Sequence, residues 1–169
     1  MIFPTRRSTF ESLVRACSPE LYRYGYWLCR DRFIAEDLVQ ETFARAWKSW
    51  EELRDDKAAR SWLYTILRNE HARLYARKRI KFEEDSALDE IADPATNIAE
   101  EFEMRNAVFA LAVGYREPLL LQWIGGYTCK EIAEIMNLTE AAVMTRLTRA
   151  RIALRRAEGS GPKRKGAIG

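Results

Sequence analysis

Apolar positions recur at helical spacing along nearly the whole chain, and no stretch alternates apolar and polar residues between turn signals as a half-buried strand would. The pattern predicts an all-α protein. Phe10, Leu13, Val14 and Cys17 mark a first helix, which Pro19 is expected to interrupt before Leu21, Tyr24 or Gly25, and Leu28 carry the chain on to about Arg30. From Ala35 the apolar positions Leu38, Val39, Phe43, Ala46, Trp47 and Trp50 form one stripe, leaving Asp37, Gln40, Glu41, Arg45 and Lys48 on the far side. Residues 51–60 are polar and read as a loop, after which Ser61 is expected to cap a helix that turns Trp62, Leu63, Ile66, Leu67 and Leu74 inward.

Residues 82–99 carry few large apolar groups and include Asp93-Pro94-Ala95-Thr96-Asn97, so they read as a linker with one helical turn around Ala87–Ile91. A second domain then starts near Glu100. Phe102, Val108 or Phe109, Leu111 and Ala112 form one face, Pro118 is placed to open a helix through Trp123, and Gly125-Gly126 end it. Thr128-Cys129-Lys130-Glu131 has the form of a capping box, in which hydroxyl and carboxylate each satisfy the other residue's amide. The helix it opens buries Ile132, Ala133, Ile135 and Met136. Asn137-Leu138 turn the chain, and Thr139 caps a second helix burying Val143, Leu147, Ala150 and Leu154. Small Ala133 at the crossing and an exposed face of Glu140, Ala141, Met144, Thr145 and Thr148, edged by Arg146, Arg149 and Arg151, have the geometry of a helix-turn-helix that reads a major groove. The expected architecture is therefore two small helical domains joined by an acidic linker, the second with a helix-turn-helix. Its parts are residues 8–80, a linker over 81–99, residues 100–157, and a basic tail over 158–169.

Charge sharpens this division. The 169 residues hold 28 Lys and Arg against 25 Asp and Glu, a net of only +3. Along the chain, however, residues 1–59 are neutral, 60–81 carry +6, 82–103 carry −9, 104–127 carry +1 and 128–169 carry +5. Two basic blocks flank an acidic one, the pattern of two anion-binding surfaces joined by a segment that avoids the same anion. With 47% apolar residues the chain has enough material for a core. It lacks a run of about 18 apolar residues or a secretory leader, so neither membrane insertion nor export is expected, and the cytoplasm is the expected location. Cys17, Cys29 and Cys129 lack paired spacing and His71 is the single histidine, so no zinc site or disulfide framework is expected, nor any cofactor.

Two blocks carry a resemblance. Ala35-Glu36-Asp37-Leu38-Val39-Gln40-Glu41-Thr42-Phe43-Ala44-Arg45-Ala46-Trp47, followed by Ser61-Trp62-Leu63-Tyr64-Thr65-Ile66-Leu67-Arg68-Asn69, resembles the first conserved domain of the extracytoplasmic-function sigma factors of bacterial RNA polymerase. Glu131-Ile132-Ala133 through Val143, Arg146-Leu147 and Arg149-Ala150-Arg151 is similar to the second. The resemblance implies a promoter-specificity subunit with no catalysis of its own. Asp37, Gln40 and Glu41 would dock on the clamp coiled coil of the largest polymerase subunit, with the flap region as a further contact. Arg60, Arg68, Asn69, Arg73 and Arg77 would meet the minus-ten element, cations for phosphates and Asn69 for an unstacked base, with Tyr64 and Tyr75 as further stacking candidates. Thr139, Glu140, Met144, Thr145, Arg146 and Arg149 would meet the minus-thirty-five element. The partners implied are core RNA polymerase, promoter DNA and an anti-sigma protein.

The chain departs from the family pattern at three places. Ala59 stands where an aromatic is frequent, Arg73 where an acid four residues after the Asn is frequent, and Val113-Gly114 where a Leu-Pro pair is usual. A helix-turn-helix regulator that acts without replacing the polymerase specificity subunit is the alternative. A nuclease using Glu36, Asp37 and Glu41 as metal ligands fits poorly, because adjacent helical residues point about 100° apart.

Overall fold

Thr5 opens the first helix by accepting from the Ser8 amide, and α1 then runs over Arg6–Cys29. The structure is a computed structural model that describes residues 5–84 and 99–159, with side chains described over 5–77 and 103–159. Pro19 lies inside α1 and does not interrupt it. Proline removes one intrahelical bond, but Cys17, Leu21, Tyr24 and Leu28 are buried on either side, and that packing holds the helix together across the gap. Asp31 caps α2 (Arg32–Lys48) by accepting from the amides of Phe33 and Ile34. The apolar stripe of α2 is buried as expected at Ala35, Leu38, Val39 and Ala46, whereas Trp47 remains 42% exposed. Phe10 of α1 meets Phe43, Trp47 and Trp50 at ring separations of 6.4, 5.1 and 5.2 Å. This cluster closes one end of the α1–α2 pair.

The stretch expected to be a loop contains two short 3-10 turns, Trp50–Glu52 and Asp56–Ala58, and α3 (Ala59–Glu84) begins before Ser61. Ser61 therefore does not cap the helix. Its hydroxyl donates to the Ala58 carbonyl. Leu63, Tyr64 and Leu67 are fully buried, and Trp62 and Ile66 pack half-buried at the margin of the core. Tyr64 is fully buried in this arrangement, partly beneath Tyr127, whereas Tyr75 is 57% exposed.

The second domain comprises α4 (Ala99–Ala110), α5 (Val113–Trp123), α6 (Cys129–Met136) and α7 (Glu140–Gly159). Pro118 does not open α5, which starts five residues earlier at Val113. Lacking an N–H, Pro118 leaves the Gly114 carbonyl without its helical donor. Arg146 of α7 donates to that oxygen at 3.2 Å instead. The capping box at Thr128 and Glu131 forms as expected, and Asn137 adopts the left-handed conformation at φ 52° that ends α6. Helices α6 and α7 form a helix-turn-helix on a core of Ile132, Ile135, Met136, Val143, Leu147, Ala150 and Leu154. The expected turn around Ala87–Ile91 and the tail from residue 160 lie outside the described residues.

The two helical domains pack against each other, which the apolar spacing gave no means to anticipate. Trp27 of α1 stacks on Phe109 of α4 with centroids 5.2 Å apart, and Tyr64 of α3 meets Tyr127 edge-on at 5.4 Å. The loop bearing Tyr127 has no room for a side chain at Gly125. A Cβ there would lie 2.6 Å from the Tyr127 ring and 2.7 Å from the Leu121 carbonyl. Gly125→Ala is expected to cost about 2 kcal/mol through overpacking. Chemical denaturation should show a lowered midpoint with an unchanged slope.

Candidate nucleic-acid interface

Three groups of side chains are expected to act, and the structure keeps two of them together and divides the third. Asp37, Gln40 and Glu41 are exposed on the outer face of α2. Caps and packing fix that face: Asp31 sets the helix start, and burial of Leu38, Val39 and Thr42 turns the intervening polar residues outward. Glu41 accepts from Arg45 one turn on, at 2.8 Å. Arg77 of α3 lines the same groove as Asp37 and Glu41, so this face includes a residue expected on the minus-ten side.

The minus-ten set divides. Asn69 and Arg73 line a groove of about 430 Å³ between the end of α2, the first 3-10 turn and α3, together with Trp62, Ile66 and Leu53. Arg60 and Arg68 point elsewhere. Arg60 donates to both carboxylate oxygens of Glu20, at 2.6 and 2.7 Å, and to the Gly125 carbonyl at 2.8 Å. Its guanidinium also lies 4.8 Å from the centre of the Tyr127 ring. The Glu20 pairing holds Arg60 even more firmly protonated than usual, against the opposing pull of burial. Burial pushes the Tyr127 hydroxyl up to about 12.

Arg68 pairs with Glu117 of α5 at 3.0 Å, and the Glu117 side chain is only 6% exposed. Burial raises the Glu117 pKa above the ordinary carboxylate value, and Arg68, Arg146 and Arg116 oppose that rise. Arg60 and Arg68 thus serve the contact between the domains. Sequence reasoning placed them on a DNA-facing helix because it could not see α5 or the Gly125 loop beside them. Glu20, Glu117 and Tyr127 carried no signal in the one-dimensional pattern, since a lone acid or aromatic beside a Pro or Gly has many explanations.

The helix-turn-helix set lies on or at the start of α7. Glu140, Met144 and Thr145 are exposed, Met144 at 55%. Thr139 is exposed and accepts from the Ala142 amide, so its hydroxyl caps the helix. Thr145 donates back to the Ala141 carbonyl. Arg149 reaches the Tyr115 hydroxyl at 3.3 Å, and Arg146 is turned onto Gly114. The exposed face of α7 therefore presents Glu140, Met144, Thr145 and Arg149, with Arg146 on its inner edge bracing α5 against α7. Among the described residues no group of His, Cys, Asp and Glu could hold a metal ion, and no helix is long and apolar enough to cross a membrane.

Comparison with known proteins matches these two domains in order. Residues 13–80 fit the Sigma-70 region 2 family and residues 101–154 fit Sigma-70, region 4. The ECF RNA polymerase sigma factor SigL of Mycobacterium tuberculosis is 32% identical, with 85% of this chain and 88% of that protein aligned. The ECF RNA polymerase sigma factor SigM of Bacillus subtilis is 27% identical over 85% of this chain and 91% of its own length. RfaY of Xanthomonas campestris is 30% identical over 88% of this chain, which spans only 40% of RfaY. Among solved structures, the sigma factor RpoE of Bartonella quintana, in complex with the anti-sigma factor NepR, superposes with a TM-score of 0.74. It is 26% identical, covering 90% of this chain and 98% of that one. CnrH, solved with the cytosolic domain of CnrY, shares the fold at a TM-score of 0.70 and 24% identity, covering 93% of this chain and 91% of that one. With both sigma-70 regions present in that order and SigL aligned over most of both lengths, the chain belongs to the ECF family of RNA polymerase sigma factors.

Proposed function

We propose that this chain binds core RNA polymerase and directs it to promoters, recognising a minus-ten and a minus-thirty-five element. The observation that carries the reading is the pairing of a region 2 domain with a region 4 helix-turn-helix in one chain. Residues 8–80 act on polymerase and the minus-ten element, 100–157 on the minus-thirty-five element, 81–99 as an acidic tether and 158–169 as a basic tail.

Asp37, Gln40 and Glu41 form an exposed acidic and polar face suited to a basic partner, here the clamp of the largest subunit. Asn69, Arg73 and Arg77 are exposed along α3 for the minus-ten strand. Arg60 and Arg68 join them only once the domains part, because both are held by partners within the chain. Thr139, Glu140, Met144, Thr145, Arg146 and Arg149 form the duplex-reading end. The protein contributes no catalysis, acts in the cytoplasm, and has an anti-sigma partner of the general kind seen bound to RpoE of Bartonella quintana.

Run-off transcription tests the reading. Core polymerase with this protein should transcribe a subset of a promoter library that core alone does not. If the protein binds duplex promoter DNA tightly without polymerase and adds nothing to core, it is a helix-turn-helix regulator instead.

A further inference from the structure

An alternating row of charges crosses from α2 to α3. Arg45 donates to Glu41 at 2.8 Å and forms an ion pair with Glu70 at 2.7 Å, and Glu70 also pairs with Arg73 at 3.3 Å. The row forms the wall between two grooves. On one side lie Asp37 and Glu41, and on the other Trp62, Ile66 and Asn69, while Arg45, Glu70 and Arg73 border both.

Glu70 is the hub. Its side chain is 11% exposed, whereas those of Arg45 and Arg73 are 42% and 57% exposed. A carboxylate so covered is tolerated because two guanidiniums share it. Glu70 is also the single acid in the basic block of residues 60–81, where on charge alone it would oppose binding of any polyanion. Its pairing turns that liability into alignment. A guanidinium has five donors in a planar fork, so an Arg73 held on one side by Glu70 keeps the rest directed outward with little freedom left to lose. Arg73 is moreover a departure of this chain, standing where an acid is frequent in the family.

We propose that Glu70 is the positioning residue of the minus-ten groove: it fixes Arg73 at the groove rim so that the guanidinium meets a phosphate of the unpaired strand, and Arg45 in turn anchors Glu70. This rests on the sigma-factor reading above and extends it to a residue that contacts neither polymerase nor DNA itself.

The test uses the full chain assembled with core polymerase. The probe is a fluorescent single-stranded oligonucleotide carrying the non-template minus-ten sequence of a promoter selected by run-off. Glu70→Gln should weaken strand binding about tenfold while affinity for core stays within about twofold. Arg73→Ala should weaken it similarly and lower the log–log salt slope by about one, the signature of one lost phosphate contact. The double variant should be no weaker than Arg73→Ala alone. Glu70→Asp keeps the charge but withdraws it by one methylene, and should fall between wild type and Glu70→Gln even if the Gln variant is poorly folded. Unchanged or tighter strand binding by Glu70→Gln, or losses that add in the double variant, would overturn the proposal. Absence of promoter-dependent run-off by the wild-type protein would instead overturn the function itself.

Discussion

Replacing Asp37, Gln40 and Glu41 together by Ala should reduce affinity for core polymerase by about two to three orders of magnitude, with thermal stability almost unchanged. The size follows from interface energetics. Two or three desolvated polar contacts at about 1.5 kcal/mol each sum to about 3–4.5 kcal/mol, and every 1.4 kcal/mol is about tenfold. The unchanged stability follows from exposure, because all three side chains lie outside the core. Surface substitutions of this kind stay within about 0.5 kcal/mol, and Ala is the strongest helix former. The i,i+4 pair of Glu41 with Arg45 is half-exposed and contributes only about 0.3–0.5 kcal/mol. Competition binding to labelled core, with a melting curve alongside, measures both quantities. A triple variant that binds core and initiates like wild type would remove α2 as the docking helix.

Arg68→Ala should have a large effect of a different kind, a loss of stability that depends on pH. At neutral pH the substitution leaves Glu117 as a buried carboxylate without its nearest cation. Removing one partner of a buried pair costs about 3–5 kcal/mol. Here Arg116 and Arg146 remain close enough to act on Glu117, and the Arg68 side chain is itself 24% exposed, so about 2 kcal/mol is expected. That corresponds to a fall in Tm of about 4–8 °C for a chain of this size.

The sign with pH is fixed by burial. Glu117 already has a folded pKa above its ordinary value, and loss of Arg68 raises it further. A carboxyl whose folded pKa is raised favours the folded state most below its unfolded pKa, and that contribution is lost as pH rises through the folded value. The deficit of Arg68→Ala should therefore be greatest near neutrality and shrink on acidification towards the ordinary Glu range. Glu117→Gln in the same background removes the buried charge and should restore most of the stability at neutral pH. Tm measured across pH for the single and double variants decides this. A deficit that is flat with pH, or a double variant worse than the single, would mean that Glu117 is not the source of the cost.

Both predictions bear on how the two domains work together. In the arrangement described, α3 contributes Arg60 and Arg68 to the contact with the second domain, while Arg73 and Arg77 are exposed. That contact covers part of α3 with the second domain. Weakening the Arg68–Glu117 pair therefore alters both stability and the availability of α3.

Much of this was legible in one dimension. Helical periodicity alone indicated an all-α chain, and the helix-turn-helix was readable to the residue because its signals are local. A Thr-x-x-Glu cap, an Asn in the left-handed turn and apolar spacing each involve groups within four positions of one another. The polar face of α2 was readable for the same reason. Breakers were less reliable. Pro19 and Pro118 both sit inside helices, because tertiary burial outweighs one missing hydrogen bond and, at Pro118, because Arg146 supplies the missing donor from 32 residues away.

The sequence by itself thus determined the all-α class, the order of the two domains and the residues that face outward on α2 and α7. Only the tertiary structure decided which cations remain free. Arg60, Arg68, Arg73 and Arg146 look alike in sequence, four arginines on two basic helices. Arg60, Arg68 and Arg146 acquire their roles from oxygens far along the chain, those of Gly125 and Glu20, of Glu117, and of Gly114, whereas Arg73 pairs with Glu70 one turn away on its own helix. The physical reason is that a long flexible cation takes whatever acceptor the fold brings within about 3 Å, and that proximity is a property of packing rather than of spacing.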